Sequence, residues 1–198
     1  GIVGKYTSLI DAYKSLIEAV NHGGLANKVK ISIKWIDSEL IEDKNSDIKN
    51  ILKDINGIIV PGGFGKRGSE GKIKSINFAR LNNIPFFGIC FGMQMAVLEF
   101  ARNVLKLKDA SSSEFGKTNL SLIGLLTEWQ TKTGLEKRSE NSNLGGTMRL
   151  GAYDCKLVEN SFVKTIYKKN VISERHRHRY EVNNKFNCDF KKNGLTVS

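Results

Sequence analysis

The feature that most constrains the fold is a strand, loop and helix unit that occurs twice in succession between residues 57 and 104. Gly57–Val60 is a short apolar strand that runs into the loop Pro61–Gly65 and a helix over 70–81. The second unit has an apolar strand over 84–89 and a helix over 93–104. Because parallel strands need crossover helices between them, this alternation predicts an α/β fold with a doubly wound, mostly parallel sheet.

Hydrophobic periodicity outlines the rest of the chain. Apolar residues at helical spacing over 9–22 predict an amphipathic helix that His22-Gly23-Gly24 ends, and the alternating, β-branched segment 30–36 predicts a strand. The remaining predictions are a short helix over 48–55, an apolar run over 120–126, strands over 147–150, 153–157 and 180–182, and a helix over 161–167. The polar segment 131–143 is interpreted as a mobile surface insertion. With no repeat and no clear linker, one domain over residues 1–198 is expected.

Composition limits the classes of function. No apolar run approaches the roughly 20 residues that span a bilayer, and the start has no signal-peptide pattern, so we expect a cytoplasmic location. Three scattered cysteines favour reduced thiols over disulfides or zinc, and no metal site is predicted. The net charge of +11 is compatible with nucleic-acid binding. Only Arg175–Arg179 is densely basic, however, which favours a general compositional bias and no nucleic-acid partner.

The candidate chemistry lies at Cys90, between the second strand and its helix. The segment Gly88–Gly92 places a cysteine between glycines, as in a nucleophile elbow with a thiol in place of the usual serine hydroxyl. At this position the thiol stands near a helix N-terminus, whose partial positive charge favours the thiolate. A small buried core cysteine is the alternative. The preceding glycine loop favours the nucleophile, because Gly63 and Phe91 are candidate amide donors to an oxyanion.

Five motifs extend this interpretation: PGGFG at 61–65, GICFGMQ at 88–94, EFARNVL at 99–105, GGTMRLGAY at 145–153 and ERHRHRYEVN at 174–183. In this order the sequence resembles the C-terminal class I (triad) glutamine amidotransferase domain of the CTP synthase family. The resemblance covers nearly the whole chain, and the last two motifs are the most specific. It implies a flavodoxin-like class I amidotransferase fold and glutamine hydrolysis that supplies ammonia for ATP-dependent amination of UTP to CTP.

The resemblance also implies roles for individual residues. Cys90 would attack the side-chain amide of L-glutamine and form a glutamyl thioester. The residues implied in glutamine binding are Gly63, Phe91, Gly92, Met93, Gln94, Glu114 and Arg179. Among them, Glu114 would contact the amino group of the substrate. Arg179 would bind its carboxylate, a group that suits a guanidinium.

Residues 66–70 resemble a lid through which GTP activates the family, with Arg67, Gly68 and Glu70 as its candidate residues. An ordinary charged start of a helix is the alternative. The resemblance implies no cofactor in this domain, and it assigns ATP and magnesium to a synthase domain that this chain lacks. The implied partners are that synthase domain and, in the full enzyme, the other subunits of a homotetramer, with no membrane partner.

The largest departure from the family is the lack of a His-Pro-Glu segment that would complete the triad. The sequence holds His22, His176 and His178 and no His-x-Glu pair after Cys90, so we expect a domain without its C-terminal end and with little activity alone. Strand alternation predicts that Arg175, Arg177 and Arg179 face one side and both histidines the other. A non-catalytic amidotransferase-like binding module and a basic nucleotide- or nucleic-acid-binding protein remain alternative hypotheses.

Overall fold

The computed structural model describes residues 1–5, 7, 10–125, 128–131, 134–137 and 148–197. The chain divides into two compact units, residues 1–99 and 100–198. The elements that begin in the first unit are β1 (Ile2–Gly4), α1 (Lys14–Ala26), β2 (Trp35–Asp37), α2 (Ser38–Glu42), α3 (Ile48–Ile51), β3 (Ile58–Val60), α4 (Ser69–Leu81), β4 (Phe86–Gly88) and α5 (Phe91–Asn103).

A parallel sheet with the strand order β2-β1-β3-β4 forms the centre of the first unit. Among its apolar residues, Val3 and Val60 are fully enclosed, Ile36 and Ile58 are nearly so, and Phe87 of β4 is exposed. The predicted parallel α/β fold is confirmed, and this order is the flavodoxin-like one. In such sheets ligands bind beyond the carboxyl ends of the strands, where β3 leads into Pro61 and β4 into the segment that contains Cys90.

The limits of α1 differ from the prediction. Residues Ile10–Tyr13 form a 3₁₀ turn, and α1 continues through both glycines to Ala26. Gly24 is required by packing, because a Cβ there would lie 2.7 Å from Cγ1 of Ile31. The helix ends instead at Asn27, whose side-chain amide donates to the carbonyl of Gly23 at 2.8 Å. Of the two glycines that predicted a stop, Gly24 is therefore a site of close approach within the helix.

The predicted strand over 30–36 is largely wrong. Only Trp35–Asp37 pairs with β1, because β1 itself is three residues long and offers no further partners. The two βα units that follow agree with the sequence: β3, α4, β4 and α5 each lie within about two residues of their predicted limits. The short helix α3 begins at Ile48 as predicted but ends at Ile51, and α2 was not predicted.

The second unit contains shorter pairings. Its elements are β5 (Ala110–Ser112), β6 (Leu120–Leu125), β7 (Glu128–Thr131), β8 (Gly134–Lys137), β9 (Arg149–Lys156), α6 (Phe162–Tyr167), β10 (Val171–His178), β11 (Tyr180–Val182) and α7 (Asn187–Lys192). Three strands form a sheet in the order β11-β6-β5, and β9 pairs antiparallel with β10. None of the helices in the described ranges is long and apolar enough to cross a membrane.

Three features of this unit differ from the sequence predictions or add to them. The strands expected over 147–150 and 153–157 form one strand, β9, because Gly151 keeps its pairing with His176 despite a φ of +104°; Thr147 lies outside the described residues. Within the segment 131–143, interpreted as a mobile insertion, Thr131 and Gly134–Lys137 belong to the antiparallel hairpin of β7 and β8. Its residues 132, 133 and 138–143 lie outside the described residues. Strand alternation was predicted only for Arg175–Arg179, whereas the strand β10 begins at Val171 and ends at His178.

Candidate active site

Cys90 occupies a sharp turn between β4 and α5. Its φ is +52°, a left-handed conformation that L residues rarely adopt and that costs about 1–3 kcal/mol. The turn leads directly into the helix, because the carbonyl of Cys90 accepts from the amide of Gln94 at 3.1 Å. The cysteine is half-buried, at the point where the positive end of the helix dipole favours a thiolate. The predicted strained elbow is therefore present at the predicted residue.

Both glycines that flank this turn are required by their surroundings. A Cβ on Gly92 would lie 1.9 Å from the carbonyl oxygen of Val60, and a Cβ on Gly88 would lie 2.6 Å from the carbonyl carbon of Gly92. These contacts are with backbone, which cannot move aside as a flexible side chain could. The first turn of α5 therefore packs directly on the end of β3, and only glycine allows that approach.

The glycine loop after β3 lies beside the elbow. The amide of Ile89 donates to the carbonyl of Val60 at 2.9 Å, which joins the ends of the two strands. Positions for a Cβ on Gly62 and on Gly63 lie 3.9 Å from Cβ of Cys90 and 3.8 Å from Cδ1 of Phe91, respectively. The first unit thus brings Gly63 close to Phe91, the residue that follows the nucleophile. Proximity of this kind is one requirement for two amides that donate to the same oxyanion.

The other residues predicted for the glutamine pocket differ in exposure. Met93 is 44% exposed, whereas the side chain of Gln94 is buried in the first unit. Phe91 is 1% exposed, so its ring lies in the core. Neither Phe91 nor Gln94 can therefore offer its side chain to an open pocket in this conformation, and their contribution there is limited to backbone groups.

The candidate lid residues are bonded to α2. The amides of Gly68 and Glu70 donate to the carboxylate of Glu42 at 3.3 and 3.0 Å, and Arg67 forms an ion pair with Glu39 at 3.3 Å. The segment is therefore an anchored start of α4, capped by a carboxylate, as the alternative interpretation expected. A response to GTP stays a prediction.

Glu114 and Arg179 lie at one end of the sheet in the second unit. Glu114 follows β5 in a 3₁₀ turn over Ser113–Phe115, and Arg179 is the single residue between β10 and β11. The pairings of β6 with both neighbours place these positions at its carboxyl end. A cavity of about 740 Å³ opens there and is lined by Ser113, Gly116, Lys117, Thr118, Asn119, Ser121, Leu125 and Tyr180.

The basic run lies mainly on β10. Arg175 and Arg177 are exposed, and His176 and His178 are half-buried on the opposite face, as alternation predicted. Arg179 departs from the prediction, because β10 ends at His178 and the alternation ends with it. Its half-buried position differs from those of the two exposed arginines.

The histidines belong to a polar network that the sequence analysis did not predict. Nδ1 of His176 lies 2.8 Å from Nε2 of His178, and Nε2 of His176 lies 3.8 Å from Sγ of Cys155. Glu181 extends the network, 3.7 Å from His178 and 2.9 Å from Arg149. Burial is the main cause that lowers the pKa of both histidines, which favours neutral rings. The only sequence signal was the i, i+2 spacing of the histidines.

Among the residues that the structure describes, no three His, Cys, Asp or Glu side chains are grouped as metal ligands would be.

Two lysines near the elbow were also not identified by the sequence analysis. Lys5 and Lys72 approach the ring of Phe91 from the core side of the elbow.

Comparison with known proteins relates these features to one family. Residues 8–198 match the family described as "Glutamine amidotransferase class-I". The sequence is 58% identical over 198 residues to the CTP synthase of Sphingopyxis alaskensis and 59% identical over 197 residues to that of Pelagibacter ubique. Each alignment covers all of this chain and 36% of the relative, so the chain spans about a third of the length of these proteins.

A solved structure agrees with these matches. The glutaminase domain of the Trypanosoma brucei CTP synthase, with bound acivicin, superposes with a TM-score of 0.82 and 40% sequence identity. The similarity covers 98% of this chain and 71% of that chain.

Proposed function

The chain belongs to the class I glutamine amidotransferase family, and from this premise we propose that it is the glutamine-hydrolysing domain of a CTP synthase. The observation that carries the chemistry is the left-handed conformation of Cys90, held by flanking glycines that admit no Cβ. The identity of 54–59% to CTP synthases supports the specific assignment.

In this proposal the thiolate of Cys90 attacks the side-chain amide carbon of glutamine. The electrons of the C=O bond move to oxygen, and the amides of Gly63 and Phe91 donate to the resulting oxyanion. Collapse of the tetrahedral intermediate breaks the C–N bond and releases ammonia after a proton reaches the nitrogen. Water then hydrolyses the thioester to glutamate. Support comes from the proximity of the glycine loop to Phe91.

The proposal also assigns roles in glutamine binding to individual residues. Gly92, Met93 and Gln94 would line the pocket through their backbone, and Glu114 would pair with the ammonium group of the substrate. Arg179 would bind the carboxylate through its planar guanidinium. Glu114 and Arg179 both lie at the carboxyl end of β6, which supports the proposal that they bind the same ligand.

The remaining two thirds of the protein would carry out the synthase reaction. By analogy with the relatives' name, that part would use ATP and magnesium to aminate UTP with the released ammonia. We further propose that GTP acts through Arg67, Gly68 and Glu70, that the full enzyme is a cytoplasmic homotetramer, and that this domain itself holds no cofactor. A non-catalytic binding module is not favoured by these comparisons.

Intact-mass spectrometry after treatment with acivicin tests the proposal, since the T. brucei domain binds this compound. We expect one adduct, at Cys90, that excess glutamine prevents and that Cys90→Ser abolishes. Cys155→Ser and Cys188→Ser are matched controls, because they remove a half-buried thiol and an exposed thiol that belong to the second unit. Equal labelling of all three thiols in a folded chain would contradict the proposal.

We expect the 198 residues alone to release ammonia from glutamine slowly, even when acivicin labels Cys90. None of the three histidines forms a His-x-Glu pair that could serve as base and orienting carboxylate. An enzymatic assay for ammonia on the same sample measures this, and turnover as fast as that of an intact amidotransferase would refute the assignment of the base outside this chain.

A further inference from the structure

Two ammonium groups approach the buried ring of Phe91. Lys72, on α4, is itself only 2% exposed, and its Nζ lies 5.4 Å from the ring centroid. Lys5, directly after β1, is half-buried and places Nζ 6.0 Å from the same centroid. Both distances are within the range in which a cation is attracted to the face of an aromatic ring. The ring next to the nucleophile is therefore held by charge as well as by packing.

Lys5 makes a second connection, to the glycine loop. Its Nζ donates to the carbonyl of Phe64, the residue that follows Gly63. One side chain thus joins the two segments that carry the proposed oxyanion donors, through the ring of Phe91 on one side and the backbone of Phe64 on the other. Its stem also lies against the turn that begins α4, because a Cβ on Gly68 would be 3.1 Å from Cγ of Lys5.

The buried position of Lys72 is unfavourable for a charged group. Burial, followed by the nearby charge of Lys5, lowers the pKa of Lys72 to about 8, so the enclosed ammonium is unfavourable to folding. The carboxylates that oppose this effect are those of Asp37, Glu39 and Glu42. Among the described residues none of them forms an ion pair with Nζ of Lys72. A methionine of similar volume would fill the space without a charge.

We propose that Lys5 and Lys72 are positioning residues of the oxyanion hole. They hold the ring of Phe91 and the glycine loop so that the amides of Phe91 and Gly63 point at the same oxygen. They do not touch the substrate. The inference rests on the proposed function, because it assumes that these amides stabilise an oxyanion formed by attack of Cys90.

Two reagents for Cys90 separate oxyanion stabilisation from the reactivity of the thiolate. With the γ-aldehyde analogue of glutamine, sulfur bonds to the aldehyde carbon, the C=O π bond breaks, and the oxygen takes up a proton from water to give a hemithioacetal. This adduct places an oxygen where the amides donate. With iodoacetamide, sulfur bonds to the methylene carbon and iodide leaves, so no oxyanion forms. Only the first reaction depends on the positions of the amides.

The experiment measures the dissociation constant of the aldehyde and the rate of iodoacetamide labelling at Cys90, in the full chain and its variants. We expect Lys72→Met and Lys5→Met each to weaken aldehyde binding at least tenfold and to change iodoacetamide labelling less than twofold. Lys72→Arg should retain binding within about threefold, because a guanidinium also interacts with aromatic faces. Lys74→Met is the matched control, since this exposed lysine of the same helix bonds to carbonyls of α2 and not to Phe91.

Coupling through the ring provides a second readout. In a Phe91→Leu background, the additional change Lys72→Met should have less than a twofold effect on aldehyde binding, because the group through which Lys72 acts is absent. Lys5→Met keeps the proposal testable if Lys72→Met fails to fold, since Lys5 is only half-buried.

Three results would overturn the inference. Unchanged aldehyde binding in both folded methionine variants would show that the lysines do not position the amides. Parallel loss of aldehyde binding and iodoacetamide labelling would show a general structural role. Failure of the unaltered chain to bind the aldehyde at Cys90, with iodoacetamide labelling intact, would refute the proposed function and this inference with it.

Discussion

Lys72→Met should stabilise the folded chain at neutral pH, and this advantage should disappear at alkaline pH. The structure places an ammonium in a core position that is 2% exposed, with a pKa lowered from 10.5 to about 8. One pH unit corresponds to about 1.36 kcal/mol, so the enclosed charge opposes folding by about 3 kcal/mol. The ring of Phe91 offsets about 0.5–2 kcal/mol of this. We therefore expect the methionine variant to be about 1–3 kcal/mol more stable at pH 7.

The direction of the pH dependence follows from proton linkage. Because the folded pKa of Lys72 lies below the unfolded value, the unfolded chain binds the proton more tightly between about pH 8 and 10.5. The stability of the unaltered chain, relative to the variant, should therefore rise through this window by up to about 1.4 kcal/mol per pH unit. Below about pH 8 both states carry the charge, and the full unfavourable contribution is present.

Urea unfolding of the unaltered chain and Lys72→Met at pH 7, 8, 9 and 10 measures this difference. Subtracting the two curves cancels the titration of all other groups, provided that both proteins unfold with the same m-value. Lys74→Met is the control, because this exposed lysine of the same helix bonds to carbonyls of α2 and not to Phe91. A difference between the unaltered chain and Lys72→Met that stays constant from pH 7 to pH 10 would refute the assignment of a buried, charged lysine.

Two further predictions concern the packing of the first unit. Gly92→Ala should lower the free energy of unfolding by more than about 2 kcal/mol in urea titration, because the new Cβ would meet the backbone carbonyl of Val60 at 1.9 Å. Gly23→Ala is the control and should be neutral or stabilising, because a Cβ at Gly23 would have nothing within 4 Å. Arg80→Met should cost about 3 kcal/mol in calorimetry, since it removes the three bonds of 2.8–3.1 Å that Arg80 donates to the buried carboxylate of Glu99. A loss below about 0.5 kcal/mol would contradict that pairing.

The sequence predicted those parts of the fold that depend on local signals. The two βα units were recognised because apolar strands, glycine loops and helical periodicity lie within about 45 residues. The strand predicted over residues 30–36 was largely wrong. Strand formation there depended on the length of β1, a distant partner, and not on the alternation of these residues themselves. The end of α1 was predicted wrongly at Gly24 for a similar reason, since the close contact of Gly24 with Ile31 forms only in the folded unit.

The candidate site divides in the same way. Cys90 and its glycines were predictable, because a strained turn requires these residue types in this order. Arg179 was assigned to one face of a strand, but it lies between β10 and β11, because the end of β10 at His178 could not be read from an alternating run. Lys72 carried a signal that was overlooked. Buried Ser75, Ile76 and Ala79 follow it at helical spacing, so periodicity alone placed this lysine on the inner face of α4.

Two buried charged side chains in the first unit differ in the interactions that they make, and this difference indicates why Lys72 matters for the site. Glu99 is 1% exposed, and its carboxylate accepts bonds from Arg80 and Asn77, so this charge is matched within the fold. Lys72 is equally enclosed, yet among the described residues its ammonium interacts with an aromatic ring and not with a paired carboxylate. That ring belongs to Phe91, the residue after Cys90. Cys90 itself holds a backbone conformation that is unfavourable by about 1–3 kcal/mol. Two contributions that oppose folding therefore meet at one turn, which is expected where side chains are retained for catalysis and not for stability.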